Sequence, residues 1–156
     1  MVVDEVARIR DQLRNAIYGG AWHGPAVFEI LSDMSAEAAA ARPLSAVHTP
    51  WELVLHVAAW LEIVRRRVEE DPAKPTEAEN FPAVPEVTDA AWAEARDRLS
   101  RAHEDLQATL ESLDEADLDR PVPGQRYDVA YMLHGAIQHT LYHAGQMAIL
   151  KKASRT

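Results

Sequence analysis

The sequence contains no cysteine among its 156 residues, and this absence removes several classes of chemistry. Without a thiol, the chain cannot form a disulfide framework, a zinc knuckle or a cysteine nucleophile. Any transition-metal site must therefore use histidine or carboxylate ligands. Glycine is also scarce, with six residues and no Asn-Gly or Asp-Gly dipeptide, so signals for β-hairpins are few. Alanine, a strong helix former, is abundant, and we expect an all-α protein.

Positive charge is the second shortage. The chain has 16 Lys and Arg against 25 Asp and Glu, a formal net charge of -9. Nucleic-acid backbones and anionic membrane surfaces both attract basic faces, so we expect neither as a partner. The sequence also lacks an apolar run of membrane-spanning length, and its first residues, MVVDEVARIRDQL, lack the apolar region of a signal peptide. These absences favour a cytoplasmic protein.

Four long segments carry apolar residues at helical spacing, which predicts a single domain, residues 1–156, built as a four-helix bundle. The first predicted helix runs from Val3 to Tyr18, and a broken continuation follows the Gly19-Gly20 pair. The second predicted helix runs from Pro50 to Glu70 and the last from Asp128 to Lys152. Between them, Thr88 caps a third long helix. Its buried stripe comprises Trp92, Leu99, Leu106 and Leu110.

The second helix has the clearest start signal. Thr49 is a good N-cap, Pro50 suits the first helical position, and Glu52 completes a capping box with Thr49. The linker that follows this helix, Asp71 to Thr88, holds four prolines in eighteen residues. We predict that this linker is extended or turn-like and long enough for a crossover or a mobile flap.

The last helix places polar residues in its buried seam. Its core-facing heptad positions include His139, His143 and Gln146 in succession. An unpartnered buried polar group costs about 1–3 kcal/mol, so these three should share a partner. Residues four apart lie one turn apart on a helix, which lets two imidazoles reach one metal ion. Gln146 would then orient a histidine or a metal-bound water. A purely hydrogen-bonded network is the alternative.

A third ligand should come from another helix. His56 is the best candidate because it lies in the apolar stripe of the second helix, although a lone buried histidine is more often a hydrogen-bonded core residue. Three neutral imidazoles with open positions form the ligand set of a catalytic zinc-type centre, and nickel or iron(II) would also accept them.

The other titratable candidates have weaker cases. Glu52, one turn before His56, is a candidate base that its capping role already explains, and His48 could line the mouth of a pocket. His134 should point away from the His139 and His143 pair, while His103 is expected to be solvated or at a helix interface. The last histidine, at position 23, is expected to be structural, although it could flank the site.

Two segments, TPWELVLHVAAWLEIV and LHGAIQHTLYHAGQMAILKK, together resemble the DinB-like superfamily, also described as YfiT-like metal-dependent hydrolases. The resemblance covers most of the chain, and its specific part is a second-helix histidine combined with H-x-x-x-H-x-x-Q on the last helix. It implies an up-down-down-up four-helix bundle and a divalent metal bound by His56, His139 and His143. It also implies a homodimer. Some relatives use mycothiol or bacillithiol in transferase or isomerase reactions.

Three functions follow as alternatives. The first is a metal-dependent enzyme acting on a small-molecule substrate, either a hydrolase or a transferase that uses a low-molecular-weight thiol as cosubstrate. The second is a non-catalytic metal-binding or stress-response helical dimer. The third is a plain helical dimer in which the buried histidines only form hydrogen bonds. The missing cysteine suits an external thiol and suits hydrolysis equally well.

Overall fold

The computed structural model describes residues 4–155, and these form an all-α structure without strands. An isolated β-bridge joins Pro121 and Asp128. A short 3₁₀ helix, Glu115–Asp119, lies between the last two α-helices. The α-helices are α1 (Glu5–Tyr18), α2 (Val27–Leu31), α3 (Ala36–Ala40), α4 (Pro50–Val68), α5 (Glu77–Asn80), α6 (Asp89–Glu111) and α7 (Val129–Ala153).

Local signals at its ends explain the limits of α1. The Asp4 side chain accepts a hydrogen bond from the backbone N–H of Ala7 and caps the helix start. The predicted start at Val3 lies outside the described residues. Gly19 ends the helix with φ 148°, a conformation that L side chains rarely adopt. The predicted break at the glycine pair is therefore present.

The capping box predicted for α4 is confirmed. The Thr49 hydroxyl accepts from the backbone N–H of Glu52, the Glu52 carboxylate accepts from the backbone N–H of Thr49, and Pro50 is the first helical residue. The helix ends at Val68, two residues before the predicted end. Glu70 has φ 67°, in the left-handed region, which is incompatible with a continuing helix.

The core lies between the four long helices. Helix α4 packs against α6 and α7, and α1 packs against the same two helices. The stripe predicted on α6 is buried throughout. The largest fully buried side chains come from all four long helices and from α2: Ile9, Leu13, Ile17, Leu31, Trp51, Leu53, Leu61, Leu99, Leu106, Leu110, Leu133 and Met147.

Contacts between α4 and α6 follow the same order along both helices. The Trp51 and Trp92 rings lie 5.1 Å apart, and the Glu62 carboxylate accepts from the Arg98 guanidinium at 2.8 and 2.9 Å. Further along, the Thr109 hydroxyl donates to the Glu69 carboxylate at 2.9 Å. The linker Asp71 to Thr88 therefore returns the chain to the end at which α4 began.

Three short elements differ from the sequence predictions. Helix α3 follows its N-cap Ser35 and the 3₁₀ helix follows its N-cap Asp114, and neither was predicted. The prediction that the proline-rich linker is extended or turn-like is wrong for α5. There Thr76 and Glu79 form their own capping box, which stabilises one helical turn. Among residues 4–155, no helix is both long and apolar enough to cross a membrane.

Candidate metal centre

Three imidazoles converge where α4 faces α7. His56 lies in the middle of α4, and His139 and His143 lie one turn apart on α7. The Nε2 atom of His139 is 3.0 Å from that of His56 and 3.1 Å from that of His143. One ligand atom from each of the three residues lies within 4.8 Å of the others. The structure thus brings together the three histidines singled out in the sequence.

The outer nitrogens of two of these rings are engaged elsewhere. The Nδ1–H of His56 donates to the backbone carbonyl of Asn80 at 2.6 Å, and the Nδ1–H of His143 donates to Oε1 of Gln146 at 2.5 Å. A neutral imidazole carries one proton, so both rings direct an Nε2 lone pair at the shared centre. Metal-binding histidines usually donate their other ring N–H to such an acceptor, which fixes the orientation of the ring.

Hydrogen bonding alone satisfies this cluster poorly. With His56 and His143 protonated at Nδ1, only His139 could carry an Nε2 proton, and that single proton would have to serve two acceptors. A divalent cation would instead accept all three lone pairs. At metal–nitrogen distances of ~2.0–2.1 Å, adjacent ligand nitrogens lie roughly 3–3.4 Å apart, which matches the two separations from His139 to His56 and to His143. The donor set therefore fits a bound metal ion.

Electrostatics keep the cluster neutral. Burial, together with smaller contributions from the charges that His143 and His56 would carry, lowers the pKa of His139 to about 3. Burial also lowers the pKa of His56 and of His143, although hydrogen bonds to Asn80 and Gln146 respectively oppose the shift. Neutral imidazole is the form that binds metal, so the three side chains are in the binding state at neutral pH.

Helix α5 and the residue after it cover His56. The Asn80 side-chain oxygen accepts from the indole N–H of Trp60 at 2.8 Å. The Phe81 ring stacks on His56 with centroids 4.0 Å apart and on His48 with centroids 3.9 Å apart. Asn80 and Phe81 were not predicted as site residues from the sequence. The signal that could have found them is the capping pattern of Thr76 and Glu79.

A cavity of about 310 Å³ opens beside the imidazoles, and we call it the chamber. His56 and His139 form part of its wall, together with the aromatic side chains of Trp60, Tyr127 and Tyr131. No aspartate or glutamate of the described residues lines it. Its volume lies at the lower end of the range for small-molecule sites.

The remaining site candidates from the sequence lie around the cluster. Gln146 orients His143 and, with His48, lines a separate cavity of about 170 Å³. Glu52 does not line the chamber; its carboxylate binds the Thr49 N–H, Arg42 at 2.7 Å and His48 at 3.2 Å. Glu52 is therefore engaged in holding the start of α4.

The other three histidines take no part in the cluster. His134 lies 3.2 Å from the Glu5 carboxylate, as expected for a residue on another face of α7. His23 is exposed, whereas His103 is only 3% exposed and lies against Tyr18 at the interface of α1 and α6. The interface alternative predicted for His103 is thus the one found.

Comparison with known proteins gives one family match. A family model of the DinB superfamily matches residues 21–147, a region that contains all three converging histidines and α5. Neither the curated proteins nor the solved structures give a match.

Proposed function

This chain belongs to the DinB superfamily, and from that membership and the convergence of His56, His139 and His143 we propose that it is a divalent-metal-dependent enzyme. The reaction is either hydrolysis or transfer to a low-molecular-weight thiol, on a small-molecule substrate. Zinc is the first candidate for the metal, with nickel or iron(II) as alternatives. The observation that carries the proposal is the shared point faced by the three Nε2 atoms.

The residues around the proposed metal ion would have different roles. The three imidazoles would hold the ion, with Asn80 and Gln146 fixing the orientation of His56 and His143. A bound divalent ion would supply Lewis acidity, lowering the pKa of water or stabilising a thiolate. No carboxylate of the described residues lines the chamber, so none of them is placed there to remove a proton from the nucleophile. The apolar wall of Trp60 and Met132 would exclude bulk water from the reacting groups.

A reconstitution assay tests this proposal. Protein purified without a histidine tag would be stripped with chelator, reloaded with zinc, nickel or iron(II), and screened against esters, amides and electrophiles with and without thiols. We expect turnover only in loaded protein, and loss of turnover in His139→Ala but not in the control His134→Ala. Tight metal binding with no turnover on any substrate would favour the non-catalytic metal-binding or stress-response alternative. Absence of metal binding would refute the proposal.

We also propose that the four long helices form an up-down-down-up bundle. The ordered contacts between α4 and α6 support a parallel pair, since Trp51, Glu62 and Glu69 meet Trp92, Arg98 and Thr109 in that order. Contacts between α1 and α6 run the opposite way. Tyr18 meets Ser100, whereas Arg10 meets Gln107. A parallel pair needs a long connection, and Asp71 to Thr88 supplies it.

We propose further that the chain forms a homodimer through α7. Tyr131, Tyr142 and Ile149 are exposed large apolar side chains on this helix, and steps of 11 and 7 residues place them on one face together with Gly135 and Gly145. A second copy of the face would bury them. Light scattering at micromolar concentration should give twice the monomer mass, and Tyr142→Glu should give the monomer. A monomeric wild-type protein would refute this assembly.

A further inference from the structure

Arg67 occupies an unusual position at the end of the chamber. It lies in the last turn of α4, is 7% exposed, and forms part of the chamber wall. Its Nε and Nη2 donate to the backbone carbonyl of Ala73 at 3.1 and 3.0 Å, and its Nη1 donates to the Tyr127 hydroxyl at 2.9 Å. The guanidinium carbon also lies 5.7 Å from the ring centroid of Trp60.

What this buried cation lacks is a counter-ion. Its neighbours Arg65 and Arg66 pair with Glu69 and Asp71, but no carboxylate between residues 4 and 155 lies within ion-pair distance of Arg67. A guanidinium has five N–H donors, and the bonds to Ala73 and Tyr127 use one on each nitrogen, which leaves two. The negative end of the α4 dipole offsets part of the charge. It does not provide the paired acceptors that a guanidinium fork prefers.

The charge of the chamber is opposite to that of the molecule. The chain carries a net charge of -9, yet with neutral imidazoles Arg67 is the only formally charged residue among positions 4–155 that lines the chamber. Charge in an apolar, poorly hydrated cavity acts more strongly than charge on the surface. An anion that enters would therefore be drawn to this end.

We propose that the chamber binds a small carboxylate with an aromatic or similarly apolar body, and that Arg67 holds the carboxylate. Trp60, Tyr127 and Tyr131 would contact the apolar body, and the planar guanidinium suits a two-oxygen acceptor. Trp60 connects the two ends of the chamber, because its ring lies 5.7 Å from that of His139 and 5.7 Å from the Arg67 guanidinium. The far end of such a molecule would face the imidazoles. As the substrate class of the enzyme, this assignment rests on the proposed function; as a binding site, it does not require metal.

Calorimetry on chelator-treated protein tests the site, with benzoate as the anionic probe and benzamide as its neutral counterpart. Removing metal ensures that any preference for the carboxylate does not come from the ion. We expect the wild type to bind benzoate at least tenfold more tightly than benzamide. Arg67→Met should bring the two affinities within about twofold, and Arg67→Lys, which keeps the charge but not the fork, should retain part of the preference.

A matched control lies one residue away. Arg66 is paired with Asp71 and does not line the chamber, so Arg66→Met removes the same charge and should leave the benzoate preference unchanged. Equal binding of benzoate and benzamide by the wild type would overturn the proposal even if Arg67→Met fails to fold. Equal loss in the two methionine variants would also overturn it.

The failure of this inference can be told apart from that of the proposed function. His143→Ala, at a ligand position that does not line the chamber, should lose metal and keep the benzoate preference, whereas Arg67→Met should lose the preference and keep the metal. A His143→Ala variant that loses both would show that the preference depends on the imidazoles, and would overturn the assignment to Arg67.

Discussion

His139 is the shared member of the imidazole cluster, because its Nε2 lies close to those of both His56 and His143. We expect His139→Ala to reduce bound metal from about one ion per chain to near zero, since two ligands from different helices hold an ion weakly. The fold should persist, because the change removes a polar ring from a partly buried position. His134→Ala is the matched control, as its ring faces Glu5 instead. Metal analysis at neutral pH measures both variants. If His134→Ala empties the site while His139→Ala keeps it full, the ligand assignment fails.

His103 should give the protein an acid-sensitive stability that does not depend on metal. Burial lowers the pKa of His103 to about 4, and its Nδ1 has no hydrogen-bond partner within residues 4–155. The unfolded chain takes up this proton near pH 6.5, the folded chain only near pH 4, so the free energy of unfolding falls as pH falls between these values. The loss should be roughly 2–3 kcal/mol at the acidic end.

Replacing the side chain tests this effect. Denaturant unfolding of metal-free protein at several pH values should show a flatter pH dependence in His103→Leu than in the wild type. His23→Leu, at an exposed position, serves as the control and should follow the wild type. Parallel curves for His103→Leu and the wild type would contradict the assignment.

Two helices begin with the same capping box, Thr-x-x-Glu, but they differ in what they support. Thr49 starts α4, most of which is buried, whereas Thr76 starts α5, a single turn with no buried residue. Thr49→Ala should therefore lower the free energy of unfolding by about 1 kcal/mol. Thr76→Ala should change the free energy of unfolding much less. It should, however, loosen Asn80, whose carbonyl accepts from His56, and loss of such a hydrogen bond to a ligand weakens metal affinity roughly tenfold.

Unfolding and metal titration on both variants separate the two roles. Equal losses of stability would contradict the view that α5 serves the site rather than the core. Unchanged metal affinity in Thr76→Ala would show that the Asn80 contact does not depend on the capped turn.

How far the sequence predicts these elements depends on the strength of each local signal. The long helices follow from apolar spacing, and the α4 start follows from Thr49, Pro50 and Glu52, each of which acts locally. The start of α5 has the same Thr-x-x-Glu capping pattern, but the prolines around it favoured the prediction of an extended linker. The roles of Asn80 and Arg67 could not be predicted, because both depend on contacts between segments that the fold brings together.

The His139 and His143 pair was recognisable because polar residues interrupted a buried seam at a spacing that one metal can span. The placement of His56 opposite them rests on the packing of α4 against α7, which spacing within one helix does not specify. The apolar stripe of its own helix made His56 the best candidate, and the family resemblance implied the same residue. The chamber, in contrast, is lined by residues from α4, α5 and α7 and by Tyr127, so the sequence of any one segment does not predict it.

A bound metal should stabilise the whole fold because it joins α4 to α7. An ion present at 100 times its Kd adds about 2.7 kcal/mol, which raises the Tm of a chain of this size by roughly 5–10 °C. Protons compete for the same lone pairs, but burial lowers the pKa of all three histidines, that of His139 to about 3. The competition therefore sets in below the ordinary imidazole value of ~6.5.

Thermal unfolding with and without zinc, recorded from pH 7 downward, tests this coupling. The zinc-dependent rise in Tm should be largely retained at pH 6 and should disappear only at more acidic pH, because a lower folded-state pKa leaves the imidazoles neutral over that interval. His139→Ala should show no rise at any pH and thereby corrects for zinc bound elsewhere. If half of the rise in Tm is already lost at pH 6.5, the imidazoles titrate as exposed groups do. That result would contradict the proposal of a preformed metal centre with lowered imidazole pKa values.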